Sequence, residues 1–433
     1  MEQLRRTARE DEAIEQQQEI WSWGAGTEGQ LATGRLRDEH SPQLLRSLST
    51  LGPPIISLSC GGAHVIAVSA GGRVLTWGRG SSGQLGHGET LNSLEPKIVE
   101  SFAGFVITNV SAGWNHSGFV SEDGAIFTCG DGSFGQLGHG DYKSQCSPLK
   151  VLYFGSKNAL QVACGMRHSL VLIRGNVENQ VYGFGSGKRG QLGISTDKVK
   201  LTTLPQITMG LTNIRIISVG ANGDHSVALS DDGSLYTWGR GFGCSSDACV
   251  PIHLDTKFSI DKVALGWNHA LLLTREMELF MLGGNRHGAL GDLQKPSLSD
   301  NVAGKPKEGV VKIIPDQHVD SKILKIAAGA EHSALVTGKE YCTLLTIFDV
   351  YRLHSIKLHF NFTIICSENG SIMTWGWGEH GQLGLGNSND QTAPQFVSLG
   401  SKYADNHAIS KVYCGSGFTF VLRTYNDYKM TEN

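Results

Sequence analysis

The chain has 433 residues, 40% of them hydrophobic and 56 of them glycine, with only 18% charged side chains and a formal net charge of -3. That charge supplies no basic field to draw the protein onto nucleic acid or an anionic membrane, and the 9 cysteines, odd in number and without a C-x-x-C pair, define neither a disulfide framework nor a zinc site. The first residues lack the apolar core of a signal peptide, and no window reaches the ~18 apolar residues of a spanning helix, so a soluble chain with reduced thiols, nuclear or cytoplasmic, is expected.

Residues 1–17 are charged and Gln-rich and read as a flexible tail. From Glu19 a cassette opens as "EIWSWGAGTEGQLATG" and returns along the chain, its fullest copy being "IMTWGWGEHGQLGLG" at Ile372. The glycine after its aromatic position falls at Gly24, Gly78, Gly130, Gly185, Gly239, Gly283 and Gly376, in steps of 54, 52, 55, 54, 44 and 93. A period near fifty marks a repeat architecture, each unit a supersecondary piece that cannot bury its apolar face alone. A second element, Gly-x-x-His followed by an apolar run, places His64, His116, His168, His225, His269 and His332 in one register, with Phe418 in the seventh.

One unit can be read from "HSVALSDDGSLYTWG". Val227 and Leu229 alternate with small or polar residues, Asp232-Gly233 offers a tight turn, and Leu235 starts the returning strand. Similar turns fall at Gly71-Gly72, Asp123-Gly124 and Asn369-Gly370, and a later Pro in five units (Pro96, Pro148, Pro205, Pro251, Pro394), four of them after G-Q-L-G, implies a further strand. Four short strands per unit make a propeller blade, and seven blades closing in a ring remove the exposed edges of an open sheet. The expected fold is thus all-β, a single seven-bladed β-propeller over 18–424 followed by a tail at 425–433. Because the chain starts inside one unit and stops inside another, the strand from Val412 to Arg423 is expected to pair with Ile20–Gly24 and latch the ring.

The pairing of W-G-x-G-x-x-G-Q-L-G with Gly-x-x-His at this period resembles the regulator of chromosome condensation family of seven-bladed propellers, over roughly residues 19–424. The resemblance implies a non-catalytic interaction platform, with regulation of a small GTPase by guanine-nucleotide exchange as its leading specific function. Its alternatives are a scaffold for chromatin or another complex, and a light sensor akin to the family's UV-B receptor branch. A protein partner is implied, with no membrane and no direct nucleic-acid contact. The exchange-factor branch has a basic arm for chromatin, whereas the tail here carries Glu10, Asp11, Glu12, Glu15 and Glu19 against Arg5, Arg6 and Arg9.

Recurring G-x-G-x-x-G stretches such as "GRGSSG" and "GWGEHG" are not a dinucleotide fingerprint, since each leads into another β element rather than a helix. They read as places where crowded blades turn the chain sharply. The six histidines lie on six different blades and cannot converge on one metal ion, so they read as core side chains bonded to backbone; no metal, cofactor or catalytic residue is expected. Cys60, Cys164 and Cys414 share a register with Ala112 and Ala328 and read as small buried positions.

Two further features are candidate partner contacts. Trp114 and Trp267 sit in repeated "GWNH". The UV-B receptor branch repeats Gly-Trp-Arg-His on three successive blades to cluster its Trp rings. Here Met166 and Ala221 separate the two Trp-bearing blades, and Asn115 and Asn268 hold the Arg position, so a coupled Trp cluster is not expected. The long loop after Gly291, reaching Gly329 in 38 residues where three other units take 27, offers Lys305 and Lys307 to a GTPase. Finally, Gly338–Ser367 interrupts a hairpin at its turn. Removing these 30 residues joins "HSALVT" to "ENGSIMTWG" and restores the eight-residue His-to-Gly spacing of "HSGFVSEDG". Its Gly-Lys and Ser-Glu borders are compatible with a retained intron, and a mostly apolar insert on a surface turn is expected to pack irregularly and to lower solubility.

Overall fold

The computed structural model describes residues 17–49, 52–197, 199–242, 247–283, 310–313, 322–341, 366–368, 371–400 and 408–425. Seven antiparallel sheets, each built on a path of four strands, stand around a central channel. Blade 1 consists of Ile55–Cys60, His64–Ser69, Val74–Gly78 and Ser93–Ile98, and blade 2 of Ile107–Ala112, His116–Ser121, Ile126–Gly130 and Gln145–Lys150. Blade 3 consists of Ala159–Cys164, His168–Ile173, Gln180–Ser186 and Leu201–Ile207, and blade 4 of Ile216–Asn222, His225–Ser230, Leu235–Gly239 and Ala248–His253. Blade 5 comprises Ile260–Leu265, His269–Thr274, Leu279–Gly283 and Val310–Ile313, and blade 6 comprises Lys322–Ala328, His332–Tyr341, Ile372–Gly376 and Gln391–Val397.

Blade 7 joins the two ends of the chain. Ala408–Cys414 and Phe418–Tyr425 come from the C-terminal side, Gln17–Gly24 and Glu39–Leu44 from the N-terminal side. The junction is an eight-residue antiparallel ladder from Gln17↔Tyr425 to Gly24↔Phe418, the latch that the half-units at the two ends require. No strand edge at this seam is left open.

The core is annular. Each neighbouring pair of blades encloses its own hydrophobic cluster: Val227 and Leu229 of blade 4 pack toward blade 5, while Ala228 between them packs toward blade 3. The second strand of every blade, from His64–Ser69 onward, is therefore buried on both faces, and the small residues of its alternation mark the tighter interface rather than a solvated one. Four indoles, Trp23, Trp77, Trp238 and Trp375, fill these interfaces almost without exposure.

The cassette has a physical reading in these contacts. All seven marker glycines take φ between 92° and 118°, and a Cβ at Gly24 would lie 2.5 Å from the Gly417 carbonyl, so the position admits no side chain. The Gln of G-Q-L-G folds back on its own loop, Gln84 Oε1 accepting from Ser82 N and Gln136 Oε1 from Phe134 N. Its carbonyl faces the next blade, where indoles donate to it: Trp77 Nε1 to Gln30 O, Trp238 to Gln191 O and Trp23 to Gln382 O, at 2.8–2.9 Å. The Leu carbonyl takes the Thr hydroxyl of the blade's own third strand, as from Thr128 to Leu137 at 2.8 Å. The third glycine lies against the following blade's outer strand, a Cβ at Gly83 falling 2.7 Å from Cys146 Cα, which is the crowding that the G-x-G-x-x-G pattern suggested.

In blade 6 the second strand runs on through Tyr341 and pairs with Cys366–Glu368 in the register Lys339↔Glu368, Glu340↔Ser367 and Tyr341↔Cys366. The borders of the 338–367 segment thus prolong the hairpin as a regular ladder; residues 342–365 and the Asn369-Gly370 turn lie outside the described residues, as do the tail at 1–16 and residues 426–433. Among the described residues no helix is long and apolar enough to cross a membrane.

Candidate functional site

The six register histidines are fully buried and lie between blades. His64 Nε2 meets Ser117 Oγ at 2.9 Å, and Ser117 in turn donates to the Gln84 carbonyl at 2.7 Å, so the hydroxyl must accept from the ring. The pattern repeats as His116–Ser169–Gln136, His168–Ser226–Gln191 and His332–Thr419–Gln382, with His269 meeting Ser333 at 3.0 Å. In His64, His116, His168 and His332, whose hydroxyl partners donate onward, the imidazole is therefore a neutral Nε2–H donor strapping one blade to the next. Burial drives His64, His168 and His332 down to about 3, and His116 and His269 to about 4. Among the described residues no group of three His, Cys, Asp or Glu side chains could hold a metal ion.

The exceptions follow the same logic. Blade 5 has Ala270 where blades 2, 3, 4, 6 and 7 carry a hydroxyl, and His225, deprived of that partner, turns its Nδ1 to the Arg240 carbonyl at 3.0 Å and stacks on Phe242 at 4.4 Å. Phe418, which needs no acceptor, meets a blade 1 strand with Val65 at the hydroxyl position. The cysteines are equally structural: burial pushes the thiols of Cys164 and Cys414 up to about 12 and that of Cys60 well above its ordinary value.

The loops between first and second strands converge on one mouth of the channel, a cavity of about 680 Å³. They are stitched by backbone bonds from Gly62 N to Gly113 O, Trp114 N to Gly165 O, Met166 N to Gly223 O, Trp267 N to Ala330 O, Ala330 N to Ser416 O and Ser416 N to Gly61 O. Between blades 4 and 5 a side chain takes over: Asn222 Nδ2 reaches Leu265 O at 2.6 Å. On this ring Trp114 and Trp267 meet, ring centroids 5.0 Å apart and tilted by 51°. The expectation that Met166 and Ala221 hold the two rings apart is thus corrected. Separation along the ring does not imply separation in space, because loops from distant blades converge at a narrow mouth.

Beside the pair lies a pocket of about 640 Å³ lined by Trp114, Trp267, Trp377, Glu331, Glu379 and Arg240 among others. Sequence reasoning missed four of these. Trp377 and Glu379 were read as part of the cassette turn "GWGEHG", and Glu331 as an anonymous residue before His332. Position is the signal they carry: Arg240 and Trp377 each follow a marker glycine, and Glu331, like Asn268 beside it, precedes a register histidine. Glu331 is 7% exposed; its Oε1 accepts from Asn268 Nδ2 at 2.5 Å and its backbone carbonyl from Trp377 N at 2.9 Å, which ties the third indole to the same loop. Lys305 and Lys307 lie outside the described residues. Lys312, just beyond them, is exposed and paired with Glu278.

The ring thus presents an aromatic and charged mouth. The RCC1-like domain family matches residues 12–246, more than half of the chain, and the regulator of chromosome condensation (RCC1) repeat matches residues 369–422; the chain belongs to the RCC1-like propeller family. It is 35% identical over 326 residues to the Ultraviolet-B receptor UVR8 of Arabidopsis thaliana, covering 72% of this chain and 70% of that one. It is 28% identical over 434 residues to the Secretion-regulating guanine nucleotide exchange factor of Bos taurus, covering 95% and 84%. Among solved structures, Prp20p of Saccharomyces cerevisiae, described for its binding to Gsp1p and histones, superposes with a TM-score of 0.74 at 25% identity, covering 96% and 93%.

Proposed function

We propose that the protein regulates a small GTPase as a guanine-nucleotide exchange factor, working as a binding platform in the nucleus or cytoplasm without making or breaking a covalent bond. The observation that carries this reading is the similarity to the secretion-regulating exchange factor along nearly the whole of both chains. The stitched loop ring supports it in physical terms. A platform that opens another protein's nucleotide site must spend its binding energy on the partner rather than on ordering itself, and the backbone bonds between loops keep that ordering cost low. Release of fluorescently labelled GDP from a panel of small GTPases, with and without the protein, tests it: acceleration for one member is expected, and unchanged release throughout the panel would overturn it.

The Trp114–Trp267 contact and the similarity to the UV-B receptor favour a second reading, response to UV-B. Its test is a sizing column run before and after UV-B irradiation, with a light-dependent shift as the supporting result. Assembly of a chromatin complex without exchange activity is the outcome left if histones bind and neither GDP release nor oligomeric state responds.

A further inference from the structure

We infer that the pocket beside the Trp pair is a receptor for a single arginine side chain projected from a protein partner. The inference deepens the proposal that this mouth is a partner-binding face, and rests on it. Its starting point is Glu331. One carboxylate oxygen is satisfied by Asn268, but Oε2 is covered from solvent and has no hydrogen-bond partner among the described residues. A buried carboxylate left half-paired is costly unless a cation approaches it. The backbone bonds Trp377 N–Glu331 O and Trp267 N–Ala330 O fix the loop that carries Glu331, and turning its side chain out would forfeit the Asn268 contact. Rotation about the terminal carboxylate torsion, which is broad, presents an oxygen to the pocket without moving the loop.

The walls choose the cation. Trp114, Trp267 and Trp377 surround the cavity, and indole faces attract a positive charge through their quadrupole. A guanidinium is planar, weakly hydrated and able to stack on an indole while donating from its edge to a carboxylate; an ammonium is more strongly hydrated and can do only the second of these well. Exposed Glu379 adds a second negative charge at the rim, and exposed Arg240 opposes it. Two carboxylates against one guanidinium leave room for one further positive charge, and Arg240 sets a limit against a second. At about 640 Å³ the pocket also exceeds a lone side chain, so the arginine enters on a loop or extended segment rather than as free amino acid.

The test titrates the full chain with an acetylated and amidated Gly-Arg-Gly peptide and with its citrulline counterpart, which keeps shape and donors but lacks the charge, while following tryptophan emission. A saturating change with the arginine peptide is expected, at least about tenfold weaker with citrulline and similarly weakened in Glu331→Gln, which keeps the volume and the Asn268 contact. Arg240→Gln, on the exposed rim, is expected to tighten the arginine peptide about threefold by removing a like charge. Equal titration by the two peptides, or undiminished arginine binding by a folded Glu331→Gln, overturns the inference. Should that variant unfold, Trp377→Ala takes its place with the same expectation. The exchange proposal fails separately: arginine-selective binding without GDP release removes the GTPase and keeps the pocket, whereas GDP release unaffected by Glu331→Gln removes the pocket and keeps the GTPase.

Discussion

At one mouth of the channel the inner strands end in loops carrying Trp114, Trp267 and Glu331; at the other the same strands begin with one register position occupied, blade by blade, by Ser57, Asn109, Gln161, Ser218, Lys262, Lys325 and Lys411. In blades 2 and 3 this position is neutral and fully used: Asn109 Oδ1 accepts from Val162 N, and Gln161 binds both Val219 N and Val219 O, each at 2.9 Å. In blades 5 to 7 it is cationic. Lys411 donates to Ile56 O at 3.0 Å and Lys262 lies 3.3 Å from Asp261, but Lys325 between them is half-buried, and burial together with Lys262 and Lys411 lowers its pKa. Both mouths therefore keep their imperfectly paired charge in blade 6, while in blades 2 and 3 the same strand position is neutral and spent on bonds to the next blade. The difference separates a half that holds the ring from a half in which charge is left available to another molecule.

Opening the ring would erase that distinction altogether. Deleting residues 412–433 removes the strand that forms the eight-residue ladder with Gln17–Gly24, takes Phe418 and Phe420 with it, and bares the core they cover, Trp77 and Ile20 among it. Loss of the cooperative thermal transition, or a fall of tens of degrees in Tm, is expected. An unchanged melt would mean that blade 7 is not what holds the two halves together.

Acid acts next, and mainly on the histidine straps. Each ring is held below its ordinary value of 6.5 in the folded protein, at about 3 for His64, His168 and His332 and about 4 for His116 and His269. The unfolded chain therefore takes up protons first as pH falls. The stability is complete above about pH 6.5 and drains away below it, by about 2 kcal/mol per ring at pH 5. Urea titrations between about pH 7 and pH 4.5 measure the slope, which should flatten by one ring's share in His116→Phe paired with Ser169→Val, the combination that Phe418 and Val65 already use. A slope unaltered in that pair would take His116 out of the account.

Smaller effects test the straps one at a time. Ser169→Ala strands the His116 donor and the Gln136 carbonyl and should cost about 1–3 kcal/mol, whereas Ala270→Ser places a hydroxyl where His225 Nε2, an acceptor while Nδ1 donates to the Arg240 carbonyl, can take its bond, and should add about 1 kcal/mol. If both changes shift the denaturation midpoint in the same direction, the relay of ring to hydroxyl to carbonyl is wrong.

These straps also show how much was legible. The marker glycines, the latch and the structural standing of the histidines follow from the repeat, because a residue that recurs seven times in register reports what every blade needs. The matching of partners was legible too, though overlooked: the residue after each register position reads Val65, Ser117, Ser169, Ser226, Ala270, Ser333 and Thr419, so the hydroxyl is present for every partner except His225, which faces Ala270, and Phe418, which faces Val65. The site was not legible in that way. Trp114 and Trp267 touch because loops from non-adjacent blades share a mouth, and Glu331 matters because one of its oxygens lacks a partner; neither fact recurs, and both depend on ring curvature rather than on spacing along the chain.

The smallest expected effect probes the lysine mouth. Replacing Lys325 by Met keeps the length of the stem and removes the charge, so at about pH 7 the ring should gain a few tenths to ~1 kcal/mol, discounted because the side chain is only half-buried and partly screened. Since the folded pKa lies below the unfolded one, the penalty is fully present at neutral pH and relaxes as pH rises through the folded value toward the ordinary lysine range. The parent protein should therefore gain stability as pH rises toward the ordinary lysine range, by an increment that Lys325→Met lacks. Screening gives an independent arm: added salt up to about 0.5 M should stabilise the parent more than the variant, because Lys262 and Lys411 repel Lys325 and nothing in the variant. If denaturant midpoints of the two proteins move together with both pH and salt, the charge at this mouth is already balanced, and blade 6 differs from the rest of the ring only at its aromatic end.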